Sequence, residues 1–170
     1  MDRKSYNLND GGERFKFKNP EYGSLEYEEM MKLIRNFCLG SEENRLIIGT
    51  DSKDHGSFVL FTTVIVVHKV GKGGMYFYTT RKENIYYDMK SRIFKEAQLS
   101  IEMANFLMGS MEEEDMEMIS GIEIHIDVGE NGPTKELIRS VVGYVNGSGY
   151  EVRIKPDSFA ASKVADKHTG

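Results

Sequence analysis

One cysteine, Cys38, is the whole thiol content of this chain of 170 residues. An internal disulfide is therefore excluded, no thiolate pair exists for a zinc site, and the four histidines do not stand in pairs at zinc spacing. Long apolar runs are missing too. No stretch approaches the roughly 18 residues that a membrane span requires. Met1-Asp-Arg-Lys-Ser-Tyr-Asn-Leu8 starts polar and reaches no apolar segment of the secretory kind. These absences predict a soluble cytoplasmic protein with no membrane partner.

A basic stripe is also lacking, since the formal net charge is −5. That balance is uneven along the chain. Residues 46–100 carry eight Lys/Arg against five Asp/Glu, whereas 101–130 carry nine acids and no base. Five of those nine fall in Met111-Glu-Glu-Glu-Asp-Met-Glu117, which reads as an exposed loop. Without it the chain is neutral, so net charge does not exclude a polyanionic partner.

With 39% hydrophobic residues, the chain suffices for one core. Residues 1–23, broken by Gly11-Gly12 and Asn19-Pro20, read as a loosely anchored polar arm, leaving 24–170 as a single domain. Ser24 is placed to cap a helix from about 25 to 39, with Met30, Met31, Ile34 and Cys38 on one face. That Met-rich face, with the long strands that follow, is a candidate homodimer surface.

Arg45-Leu-Ile-Ile-Gly-Thr-Asp-Ser52 is an apolar run closing on a carboxylate, the pattern of a buried strand with Asp51 at its end. A carboxylate there either caps the following turn or takes a divalent cation as partner. Two more β-rich runs follow, 57–68 and 75–80, with Gly71-Lys-Gly-Gly74 as the hairpin turn between them. That turn lacks the spacing of a phosphate-binding loop. A helix is predicted over 87–108, with Ile93, Ala97, Ser100 and Ala104 facing inward and Glu96 at the rim of that face.

Gly121-Ile-Glu-Ile-His-Ile-Asp-Val128 alternates, placing Glu123, His125 and Asp127 on one side of a second strand that ends on an aspartate. A helix over 134–145, a strand over 150–155 and a helix over 159–167 complete the string. Strands joined through helices pair in parallel, and their carboxyl ends share one edge of the sheet. The fold class is thus α/β, with Asp51 and Asp127 expected at neighbouring strand ends.

The motifs Gly49-Thr-Asp-Ser-Lys53, Gly71-Lys-Gly-Gly74, Arg92-Ile-Phe-Lys-Glu-Ala97, His125-Ile-Asp-Val-Gly129 with Gly132 and Thr134, and Lys155-Pro-Asp-Ser158 leading to Val164-Ala-Asp-Lys167 occur in that order. Together they resemble the small bacterial YkuK-like family, whose members are described as predicted ribonuclease H-like nucleases. The resemblance implies a ribonuclease H-like domain with an extra N-terminal helix and a five-stranded mixed sheet flanked by helices. Numbered along the chain, the strand order would be 3-2-1-4-5, with strand 2 antiparallel.

The resemblance also implies a set of metal-binding acids: Asp51, Glu96 and Asp127, with a fourth from either Asp157 or Asp166. Those last two lie about 13 Å apart along a helix, too far to share one ion pair. Asp157 is favoured because it follows the last strand directly. Oxygen ligands select Mg²⁺ or Mn²⁺, and two such ions would let converging carboxylates stay ionised while they activate water at a phosphodiester. Lys53, Lys155 and Lys163 are candidates for phosphate contacts, although an ordinary surface charge is the commoner role of such lysines. Ser52, His125 and Thr134 are candidates to support the ligands from behind.

The implied function is metal-dependent hydrolysis of nucleic acid. One alternative is a ribonuclease H-fold module that binds nucleic acid or protein without cutting. Another uses Asp127-Val-Gly-x-x-Gly-x-Thr134 as a nucleotide-phosphate loop, as in actin-like ATPases, although that chemistry normally needs two such halves.

Overall fold

The structure, a computed structural model, describes residues 15–158. The expected helix over 159–167, with Lys163 and Asp166, lies outside the described residues, as does most of the expected polar arm.

A short hairpin opens the described chain: β1 (Phe17–Asn19) and β2 (Gly23–Leu25). Helix α1 (Tyr27–Cys38) leads into three long antiparallel strands, β3 (Asn44–Asp54), β4 (Val59–Lys69) and β5 (Gly73–Glu83). Then come α2 (Met89–Ser110), α3 (Glu113–Met118), β6 (Gly121–His125), a 3₁₀ turn (Lys135–Leu137), α4 (Ile138–Gly147) and β7 (Glu151–Arg153). The sheet order is β2-β1-β5-β4-β3-β6-β7, with β3, β6 and β7 mutually parallel.

Among the described residues seven strands stand in place of the five predicted, so the stated order is corrected: a hairpin from the supposed arm forms one edge. Its strands are three residues each, shorter than the runs that periodicity detects. They hold because Asn19 organises the turn. Its Oδ1 accepts the Glu21 and Tyr22 N–H groups at 2.8 and 3.0 Å, and its Nδ2 donates to the Tyr76 carbonyl on β5 at 3.0 Å. Phe17 is fully buried against Phe106 of α2, a burial that contributes on the order of 2 kcal/mol. Residues 17–23 are therefore anchored.

One face of the sheet carries Leu46 and Ile48 of β3, Ile65 and Val67 of β4, Phe77 of β5 and Ile124 of β6. Against it pack Met30, Met31, Ile34 and Cys38 of α1, the inner residues of α2, and Val141 and Val145 of α4. The Met-rich face of α1 is thus committed to the protein's own core and not to a second copy. The N-cap of α1 is Glu26, in a capping box with Glu29, because Ser24 is drawn into β2.

The acidic stretch after α2 is exposed at Glu112, Glu113, Glu114 and Glu117 as expected, but it is helical and not a loop. It forms α3, whose Asp115 is buried and takes a forked pair from Arg35 of α1: Nε at 2.6 Å and Nη2 at 2.9 Å. Between β4 and β5, Gly71 and Gly73 adopt φ of 78° and 106°, so the glycine-rich segment is the predicted tight turn.

Candidate active site

Strand β3 runs three residues past Asp51, which therefore lies within the strand and not at its end. Successive side chains alternate across a strand. Thr50 and Ser52 face α2: Thr50 Oγ1 lies 2.8 Å from Ser100 Oγ and 3.0 Å from Thr63 Oγ1, and Ser52 Oγ donates to Glu96 Oε1 at 2.5 Å. Asp51, between them, projects on the opposite side of the pleat. Glu96 and Ser100 are one helical turn apart, so α2 is fastened to β3 through two successive hydroxyl contacts.

Glu96 is 7% exposed. Burial pushes its carboxyl up to about 8, opposed by the Ser52 hydroxyl and by Arg92, and reinforced by the negative charges of Asp51 and Asp127. At neutral pH the group is thus mostly protonated. Arg92, four residues before Glu96 on α2, is a member of this corner that sequence reasoning missed. The i to i+4 spacing of the two was its available signal.

Asp127 follows the end of β6, which stops at His125 and not at Val128. Ile126 N–H and Lys155 N–H then bond across to the Arg153 and Val128 carbonyls, carrying the β6 and β7 exits side by side. Lys155 Nζ sits 2.7 Å from Asp127 Oδ1, so this lysine is an ion-pair partner of a predicted metal ligand. The close approach needs Gly129, where an added Cβ would meet Lys155 Cβ at 3.0 Å.

The remaining candidates are spread more widely. His125 is buried and its Nε2 lies 3.1 Å from Glu123 Oε2, while Glu123 Oε1 accepts from Arg45 Nη1 at 2.7 Å. Burial alone would raise Glu123, but the bonds from His125 and Arg45 outweigh it and hold the carboxyl below its ordinary value. His125 is thus tied to Glu123 on its own strand. Thr134 Oγ1 accepts from Gly129 N–H at 3.4 Å and closes the loop between them. Asp157 and Lys53 are exposed, and Asp157 N–H donates to the Ile154 carbonyl.

Donor chemistry suits a hard cation: the site offers carboxyl oxygens, one of them, on Glu96, kept protonated chiefly by its burial. The spacing is looser. Among the described residues no group of three or more His, Cys, Asp or Glu side chains stands close enough to hold a metal ion. Ser52 is the β3 side chain that bonds Glu96, and alternation directs Asp51 to the other side of the pleat.

A sheet with a parallel β3-β6-β7 half, an antiparallel β3-β4-β5 half and acids from β3, α2 and the β6 exit defines the ribonuclease H-like class. The profile of the family described as "Ribonuclease H-like" matches residues 29–170, and the chain belongs to that family. Within it, the chain is similar to the Bacillus subtilis (strain 168) protein named "Uncharacterized protein YkuK", with 26% identity over 167 residues, covering 91% of this chain and 97% of that one. This places it among YkuK-like ribonuclease H-like proteins. No solved structure matches. Among the described residues, no helix is long and apolar enough to cross a membrane.

Proposed function

We propose that the protein hydrolyses phosphodiester bonds of nucleic acid, using Asp51, Glu96 and Asp127 to hold Mg²⁺ or Mn²⁺. The observation that supports this reading is that acids from three distant chain segments lie toward one end of the sheet, near enough for both aspartates to act on the Glu96 carboxyl. Parallel pairing sets Gly49 beside His125, two residues short of Asp51 and Asp127, and the Ser52 bond draws Glu96 of α2 to the same corner. Both aspartates act electrostatically on Glu96. Bound divalent ions would supply an activated water and stabilise the leaving oxygen.

The chain's own residues prepare for this. Ser52 orients Glu96, Lys155 offsets the charge of Asp127, and Arg92 offsets the corner as a whole. Asp157, at the β7 exit, is the nearest described candidate for a fourth acid, with Asp166 its alternative outside the described residues. Lys53 and Lys155 are the described candidates for phosphate contacts.

The looseness of the acids favours a second reading, a module that binds nucleic acid without cutting it. Incubating purified protein with single strands, duplexes, hybrids and junctions of DNA and RNA separates the two. Cleavage that requires Mg²⁺ or Mn²⁺, stops with chelator and is lost in Asp51→Asn supports hydrolysis. Saturable nucleic-acid binding with no cleavage under any metal supports the module.

A further inference from the structure

Residues 81–95 carry Arg81, Lys82, Lys90, Arg92 and Lys95 against only Glu83 and Asp88. Both acids are engaged internally. Glu83 takes the Arg81 guanidinium at 2.8 Å, Lys95 Nζ at 3.6 Å and the Tyr87 hydroxyl, while Asp88 caps α2 by accepting the Ser91 N–H at 2.7 Å. The segment is therefore a surplus of positive charge. Between β5 and α2 it also exposes Ile85 and Tyr86, the tyrosine at 84%. Such a side chain gains nothing from the fold by standing in water.

Beside this tip, a groove of about 390 Å³ runs between α2 and α4, lined by Tyr87, Ser91, Phe94, Lys95, Gln98 and Tyr144. The Phe94 and Tyr144 rings are 6.1 Å apart and tilted by 46°, and Tyr144 is 40% exposed. Register places the tip at the edge of the sheet where the proposed site lies. Asp54 pairs with Val59 and Val59 with Glu83, so the β3 and β5 exits are level, and Arg92 reaches the Glu96 corner.

We propose that this groove and the Tyr86 tip form a track for single-stranded nucleic acid. Unpaired bases stack on Tyr144, Phe94 and Tyr86, while Lys90 and Arg92 meet the phosphates. Aromatic faces interleaved with cations suit a strand whose bases are free, whereas a duplex hides its base faces and presents edges and phosphates. The inference rests on the proposed nuclease reading for its placement next to the acids, but binding is measured without cutting.

The test is fluorescence anisotropy in chelator with the full chain, using labelled DNA and RNA strands of about 12 nucleotides and the matching duplexes. Single strands should bind more tightly than duplexes. Tyr144→Ala and Tyr86→Ala should each weaken that binding about tenfold. Lys90→Ala should lower the salt slope by about one. Tyr86 is too exposed for its loss to threaten folding, so an unfolded Tyr144 variant leaves the test intact. Duplex binding as tight as single-strand binding, or unchanged affinity in Tyr86→Ala, overturns the track, and so does no binding at all. Tight single-strand binding by a protein that never cleaves would instead sink the nuclease reading and leave the track standing.

Discussion

The Ser52 hydroxyl donates to Glu96 Oε1 at 2.5 Å, joining β3 to α2 at the one corner where a buried carboxyl meets the fields of two aspartates. The bond opposes, without cancelling, the burial that governs what Glu96 does as pH changes.

Burial holds Glu96 above its unfolded value, so the folded state keeps a proton that the unfolded state releases. Stability should fall as pH rises from the ordinary carboxylate range to about 8 and level off beyond. Glu96→Gln removes that penalty while retaining an amide for Ser52. Denaturant titrations should find the variant more stable than wild type by a few kcal/mol, on the order of the linkage at neutral pH, with the gap closing in acid. A gap independent of pH contradicts this.

Divalent ions should reverse the burden on Glu96. Mn²⁺ should raise the melting temperature of wild type and release about one proton on binding near pH 7, read as a dependence of calorimetric heat on buffer. Asp51→Asn and Asp127→Asn should lose both effects. Equal stabilisation of all three proteins would place the metal elsewhere.

Asp115 is held below the ordinary carboxylate range chiefly by the Arg35 hydrogen bonds, so its contribution is full near neutral pH and is lost as pH falls through its folded value. Asp115→Ala should cost roughly 2 kcal/mol, less than a fully buried pair would because Arg35 keeps partial access to water. Urea unfolding at neutral and acidic pH should show the difference from wild type shrinking in acid.

Gly129→Ala should force Lys155 away from Asp127, since its new methyl meets Lys155 Cβ and not a flexible chain end. A loss of about 1–2 kcal/mol is expected in thermal or denaturant unfolding. Gly132→Ala, with nothing within 4 Å of the added atom, serves as the control and should lie near wild type.

The strands that carry the acids were legible because Leu46 to Gly49 and Ile122 to Ile126 write their burial as apolar runs and alternation. Helical period placed Glu96 at the rim of the inner face, whereas it is buried, because Ser52 of β3 receives its carboxyl there. The β1-β2 hairpin was not legible, since its strands are too short to show a period and depend on a side chain, Asn19, bonding to β5. The acidic stretch misled for a related reason: Asp115 is buried only because Arg35, eighty positions earlier, is folded against it. The phase of β3 mattered most. Sequence placed Asp51 at a strand end, where any orientation is open, whereas the strand continues to Asp54 and the pleat assigns α2 to Ser52.

Asp51 and Asp127 are proposed to serve one centre. Metal-dependent cleavage rates for Asp51→Asn, Asp127→Asn and the double variant test it most directly. Residues acting as a unit give a double variant hardly slower than either single one. Rate losses that multiply, or activity that survives both substitutions, would contradict the account.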